Sequence, residues 1–393
     1  MISKKSSERW RRGIRGVKQL ELGDFMPFKI EQHRYDMYAN LNKIANKYYK
    51  EVEAAPQRQI IPENYQFKPY GEKRTYPQDW RLYYLACRTQ KEMFLHILKD
   101  SVDYLVIEQD YCGNGRPPVN FADVIKSLVI KSYNGLSSWG TETELNYAKS
   151  LGIIDNVYRK TSINKYMNSK RTVNTLHELY KIIALPIESI ESEYGQYALD
   201  ATGISNAYKN KKWVDVRLEK KKHKTFTKLH ILCGTRTNAI ISARITDGTK
   251  HDSIYLKELI KDASKRFRLK EVSADKAYTS RKNCDIIGFA GARPFLMPKK
   301  NSKAWNRGDS CGYWGDMIRM WKNSQLLFGL GYHRRSIVES LFSALKREWG
   351  DYCRCKLQNT IETEILSKIV CYNIKILSFA LLSNDIQPVF MST

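Results

Sequence analysis

One stretch constrains this chain more than any other: residues 331–350, GYHRRSIVESLFSALKREWG. Tyr332, Arg335, Glu339 and Lys346 stand at offsets of 0, 3, 7 and 14. A helix turns roughly 100° per residue, which puts these four within a wedge of about 60°. Ile337, Val338, Leu341 and Leu345 fall on the far side. The pattern predicts one amphipathic helix whose apolar face must be buried. Its polar face is a row of one phenol, one guanidinium, one carboxylate and one ammonium. On a solvated surface such a row does nothing in particular; beside other acids it becomes a site.

Two further carboxylates have suitable settings. QYALDATG (196–203) reads as a short apolar strand ending in a carboxylate, Asp200, and KEVSADKAY (270–278) as a strand ending at Asp275. Ligands collect at strand ends in α/β sheets. Between them WVDVRLEK (213–220) alternates as a strand. KLHILCG (228–234) and AIISARIT (239–246) read as a hairpin with its turn at Thr235–Asn238. Asp252 is placed to cap a helix running to about Phe267. A short helix at 280–288 and a strand at 293–297 follow. This order predicts a mixed α/β layer, not an all-parallel wound sheet. Three converging carboxylates repel one another, and a pair of divalent cations would offset that cost. Oxygen donors suit magnesium or manganese. Two such ions serve the attacking and leaving oxygens of a phosphodiester.

Charge points the same way. Lys plus Arg number 66 against 41 for Asp plus Glu, a net of +25 that calls for a polyanionic partner, nucleic acid first. Basic residues crowd 1–18, around Trp10, and 209–224, close to the first Asp. The 25 tyrosines argue for a folded chain and against a disordered basic tail. Eight scattered cysteines include no CxxC, and Cys353 and Cys355 lack the partners of a zinc site. They read as reduced thiols in an intracellular protein. The N-terminus lacks the apolar core of a signal peptide. The longest apolar run, near 365–382, is broken by Lys368, Asn373 and Lys375 and reads as a packed helix, with no membrane role.

Upstream the chain reads as helical. A helix is expected at 29–50, an extended Pro-rich connection at 56–80 and a helix at 88–107. CGNGRPP (112–118) is a loop. Asn120 caps a helix closing near Gly135. Thr141 and Glu144 have capping-box spacing for a helix ending at Gly152. Ser162 opens another short helix, and 173–184 is one more. Lys165, Lys170 and Arg171 near these helix ends suit a helix-turn-helix reader of DNA or a plain helical scaffold. The chain is therefore divided into a basic arm and linker (1–75), a helical DNA-binding domain (76–192) and a catalytic domain (193–393).

The segments ALDATG, SADKAY and YHRRSIVESLFSALK resemble the three catalytic blocks of insertion-sequence DDE transposases, in the branch with a Tyr-Arg-Glu-Lys signature. Tyr332, Arg335, Glu339 and Lys346 match the signature's gaps of two, three and six residues. ITDGTKHDS (245–253) is similar to the family's Gly…His-Asp step, and CYNIKIL (371–377) to its closing Asn-containing helix. The resemblance implies an RNase H-like core after an α-helical N-terminal domain, with catalytic and metal-ligating Asp200, Asp275 and Glu339. It implies two magnesium or manganese ions, cleavage at transposon ends, and joining of the 3′-hydroxyl to target DNA. Arg335 and Lys346 would hold phosphates, and Tyr332 would stack beside a base or sugar. The partners implied are double-stranded DNA, both terminal inverted repeats and target, and a second copy of the chain. The place of action implied is the cytoplasmic nucleoid. Only 63 residues separate Asp275 from Glu339, so no large β-rich insertion is expected there. Of the tryptophans in that interval, Trp305, Trp314 and Trp321, packing is the expected role for at least two. The competing readings are a catalytically inactive or domesticated relative, a different metal nuclease on the same core, and a structural nucleic-acid binder.

Overall fold

The computed structural model describes residues 80–106, 119–206, 226–304 and 312–383. The expectations for the arm at 1–18, the helix at 29–50, the connection at 56–79, the loop at 112–118, the strand at 213–220, the basic run at 209–224 and Trp305 lie outside these residues.

Two units divide the described chain: residues 80–96 with 378–383, and residues 97–377. Helix α1 (Trp80–Leu105) begins in the first and ends in the second. Within the first unit the Tyr83 and Phe379 rings meet edge-on at 6.4 Å.

The second unit opens with a helical run: α2 (Phe121–Tyr133), α3 (Thr141–Ser150), α4 (Lys160–Met167), α5 (Lys170–Ala184) and α6 (Glu188–Tyr194). Asn120 caps α2 as expected, its Oδ1 accepting the Asp123 N–H at 2.9 Å. The capping box at Thr141 does not form. Thr141 lies inside the helix and its hydroxyl donates to the Ser137 carbonyl at 2.7 Å, while Gly140 holds the cap position. The short helix expected from Ser162 begins two residues earlier, at Lys160. A two-residue turn, Asn168–Ser169, separates α4 from α5.

The sheet comprises β1 (Gln196–Ser205), β2 (Phe226–Gly234), β3 (Ile240–Asp247), β4 (Glu271–Ala274) and β5 (Arg293–Leu296) in the order β3-β2-β1-β4-β5. β1 pairs antiparallel with β2, and β2 with β3; β4 lies parallel to β1, and β5 parallel to β4. This is the mixed layer the strand order predicts. Asp252 opens a 3-10 turn (Asp252–Tyr255) ahead of α7 (Leu256–Ala263) without capping it; its carboxylate instead pairs with Lys228 at 2.9 Å. α8 (Arg281–Phe289) separates β4 from β5, and α9 (Gly312–Asn323) and α10 (Gln325–Tyr332) follow β5. Among the described residues, the interval from Asp275 to Glu339 therefore holds helices and a single strand.

Strand periodicity sorts the side chains. Tyr197 and Leu199 of β1, with Val272 and Ala274 of β4, join a core with Leu256 and Leu259 of α7, Ile287 of α8, Met317 of α9 and Phe328 of α10. Burying each such aliphatic or aromatic side chain contributes about 1.5–3 kcal/mol. Trp314 and Trp321 pack partly buried against this core, and the Trp314 indole donates to the Lys303 carbonyl at 2.9 Å. The opposite face of β1 is covered by α11 (Ser336–Trp349), whose Val338, Leu341 and Leu345 are buried.

The last helix, α12 (Gln358–Ser383), is long and apolar enough to cross a membrane by length and composition, yet 78% of that window is buried in the protein. Ile365, Leu366, Ile369, Val370, Ile374 and Leu377 are all buried, and Asn373 adds polar links. The side chain accepts the Ile240 N–H at 3.0 Å and donates to the Ile240 carbonyl at 2.8 Å and the Tyr180 carbonyl at 3.0 Å. One amide thus joins α12, α5 and β3 (Ile240 being its first residue).

Candidate catalytic site

The 331–350 stretch is not one continuous α-helix. α10 ends at Tyr332, a 3-10 turn spans His333–Arg335, and α11 starts at Ser336. Gly331 lets α10 come close to β5, since a Cβ there would lie 2.2 Å from the Phe295 ring. Tyr332, Arg335, Glu339 and Lys346 are therefore carried by three elements, yet Arg335, Glu339 and Lys346 all address β1 or its neighbours.

Asp200 sits midway along β1 with its carboxyl on the α11 side. Asp275 directly follows β4. Because Leu199 pairs with Ala274 in the parallel ladder, Asp200 and Asp275 occupy the next register step of adjacent strands. Glu339 lies in the first turn of α11, where a carboxylate is favoured by the helix dipole. The Arg335 guanidinium spans the gap: Nη1 stands 3.4 Å from Asp200 Oδ2 and Nη2 2.8 Å from Glu339 Oε1. Asp200 Oδ1 also accepts the Ala201 N–H at 2.8 Å. Two residues on, the Thr202 hydroxyl accepts from Lys346 Nζ at 2.6 Å. Tyr332 stacks on Phe328, with centroids 6.0 Å apart and planes within 11°, and its ring lies 6.0 Å from the Arg335 guanidinium carbon.

Electrostatics ties these groups together. The Asp200 carboxyl is pushed above the usual carboxylate value, first by burial; the Ala201 N–H and Arg335 oppose the shift, while Asp275 and Glu339 add to it. The Tyr332 phenol also rises, chiefly by burial, with Asp275 and Asp200 adding to the shift and Arg335 opposing it. Burial disfavours the Arg335 charge, but Glu339, Tyr332, Asp275 and Asp200 outweigh it and raise its pKa. All three acids thus feel one another or one shared cation.

Three carboxylates are the donors a hard divalent cation takes, so their chemistry fits magnesium or manganese. As placed, no three His, Cys, Asp or Glu side chains among the described residues form a ligand set. Arg335 draws Glu339 and Asp200 onto its own nitrogens. Cys353 and Cys355 belong to no metal cluster among the described residues either. His251 is exposed at the start of the 252–255 turn, and its side chain makes no capping bond.

Sequence reading missed three polar links. Thr202 receives Lys346; only its place two residues after Asp200, on the same strand face, hints at this. Arg334 pairs with Glu271. Asn283 ties two turns below the acids, with no signal in the one-dimensional pattern.

A five-stranded mixed sheet in this order, with two acids on adjacent parallel strands and a third on a helix laid across them, defines an RNase H-like DDE domain. Residues 191–374 match the family model for the transposase DDE domain, which supports an insertion-sequence DDE transposase. Comparisons with curated proteins and with solved structures gave no match.

Proposed function

We propose that this transposase cuts DNA at transposon ends and joins the freed 3′-hydroxyl to a target strand, with Asp200, Asp275 and Glu339 as its catalytic acids. The observation that carries this reading is the Arg335 bridge, which brings the first and third acids onto one cation while the ladder holds the second beside them. A transposase domain and a net charge of +25 make double-stranded DNA the substrate. Processing two ends calls for two copies of the chain.

The three carboxylates would hold divalent magnesium or manganese, which would polarise the attacking oxygen and offset charge on the leaving one. Arg335 changes partners when DNA and cation arrive: released by Asp200 and Glu339, its planar fork suits a phosphate in bidentate contact. Lys346, held by Thr202 two residues beyond Asp200, contacts the next phosphate. Tyr332, anchored on Phe328, offers its ring edge to a base or sugar. These roles fit the Tyr-Arg-Glu-Lys branch that the spacing resembles. The helices at 119–192 and the residues before them supply further DNA contacts, with Lys165, Lys170 and Arg171 beside the α4–α5 turn.

Glu339→Gln tests the reading. Strand cleavage on a transposon-end duplex should fall by about a thousandfold, since the substitution removes an anionic ligand of the cation that would stabilise the reacting phosphate. DNA affinity should stay within about threefold of the parent, because counterion release from the basic surface is untouched. Cleavage at the parental rate would refute the assignment.

A further inference from the structure

The turn after Asp275 is held from one side by a residue that the reaction itself does not use. Asn283 is buried in the first turn of α8, where its N–H donates to the Ser280 hydroxyl at 3.1 Å. Its side-chain nitrogen donates to the Tyr278 carbonyl at 2.6 Å and to Ser253 Oγ at 2.8 Å. An amide NH2 has two hydrogens, and both are used. Tyr278 closes the 3-10 turn Lys276–Tyr278, and its N–H donates to the Asp275 carbonyl at 3.0 Å. Ser253 lies in the Asp252–Tyr255 turn, which packs against the first.

The second turn is itself anchored to the sheet. Lys228 of β2 donates to Asp252 Oδ1 at 2.9 Å and to the Lys250 carbonyl at 2.8 Å. The His230 ring of β2 lies against Tyr255, centroids 4.8 Å apart and planes tilted by 36°. Asn283 is therefore the link between a turn fixed to β2 and the turn that carries Asp275. The Tyr278 side chain adds no polar anchor: its hydroxyl is buried and makes no hydrogen bond among the described residues. A ligand carboxylate must be held within about half an ångström of its working position. Among the described residues, the side-chain clamps on this turn are the Asn283 bond to the main chain and the Thr279 hydroxyl donating to the Met297 carbonyl at 2.8 Å.

We propose that Asn283 is a positioning residue of the active site, setting where Asp275 stands by tying its turn to the Asp252 turn. The proposal rests on the reading of Asp275 as one of the three acids.

The test uses the full chain with Asn283→Ala, Ser253→Ala, Asp275→Asn and Ser367→Ala. The last is a control that removes a buried hydroxyl donating to the Thr363 carbonyl at 2.7 Å, on α12. Two quantities are read: amide hydrogen exchange at residues 276–279 in metal-free protein, and Mn2+ affinity by water-proton relaxation. Asn283→Ala should speed exchange and weaken Mn2+ binding by roughly tenfold, the scale at which outer-shell partners act on a metal site. Ser253→Ala should shift both in the same direction by less, and Ser367→Ala should shift neither. Parental exchange and Mn2+ affinity in Asn283→Ala, or an equal loss in Ser367→Ala, would overturn the proposal. If Asn283→Ala does not fold, unchanged exchange in Ser253→Ala overturns it instead. Asp275→Asn separates the two ideas: if it keeps full Mn2+ affinity, the reading of Asp275 as an acid of the site falls. If it loses that affinity while Asn283→Ala keeps it, only the positioning role falls.

Discussion

Arg335 shows how much one side chain carries here. It stands 3.4 Å from Asp200 and 2.8 Å from Glu339, and its charge opposes the burial and the two neighbouring acids that raise the Asp200 carboxyl. Removing it leaves like charges facing one another without compensation. For Arg335→Ala, metal-free stability at neutral pH should drop by about 1–2 kcal/mol, the scale of a partly buried charged hydrogen bond. The loss should shrink as pH falls, because a carboxyl whose folded pKa is raised stabilises the fold in its protonated form. Thermal unfolding with and without magnesium checks this: the ion should raise the variant's midpoint more than the parent's. At this scale the sequence was partly legible. Asp275 and Glu339 stood out as strand-end and helix-face acids, whereas Asp200, read as a strand end, stands midway along β1 because the strand runs on to Ser205. Thr202 and Asn283 did not stand out, because Lys346 lies 144 residues from Thr202 and Ser253 lies 30 from Asn283, pairings set by register and packing, not by spacing.

At the scale of elements, periodicity located most strands and helices within a few residues but misjudged their joints. The polar row at 331–350 reads as one helix because its spacings suit 3.6 residues per turn. A 3-10 turn at His333–Arg335 has about three residues per turn, so it re-aims Tyr332 relative to Glu339. The capping box failed for a related reason: the Thr141 hydroxyl prefers the Ser137 carbonyl to the helix N–H groups. The β2–β3 hairpin depends on a residue outside it. Glu191 of α6 is fully buried, and its carboxylate accepts the Thr237 N–H at 2.7 Å and the Thr237 hydroxyl at 2.6 Å. Gly234 leaves room for it; a Cβ there would lie 2.1 Å from the carboxyl carbon. Burial raises the Glu191 pKa above 4.5, so its contribution to stability falls as pH rises through that raised value. Glu191→Gln keeps the acceptor without the charge and should match or exceed the parent at neutral pH. Glu191→Ala should lose about 2–3 kcal/mol by stranding buried donors. Denaturant unfolding of both variants at pH 5 and 8 (about three units apart) decides it, and a Gln variant as weak as the Ala variant would contradict the account.

At the scale of the molecule, the sequence separates a helical region from a catalytic one near residue 193, but packing joins them. Tyr180 of α5 receives the Ala243 N–H at 3.0 Å, and Thr363 of α12 donates to the Met167 carbonyl at 2.8 Å. Such contacts bring together residues up to about 200 positions apart, a pairing that local composition does not encode. What composition does encode is the net charge of +25, which suits a DNA partner. The sheet order puts Asp200 on β1 and Asp275 at the end of β4, neighbouring parallel strands. The most direct test is a crystal of the full chain soaked in Mn2+ with anomalous scattering recorded. The account predicts a peak ligated by Asp200, Asp275 and Glu339 together, with Arg335 turned away from both acids it now holds. A peak lacking any one of the three carboxylates, with Arg335 still bridging Asp200 and Glu339, would contradict it.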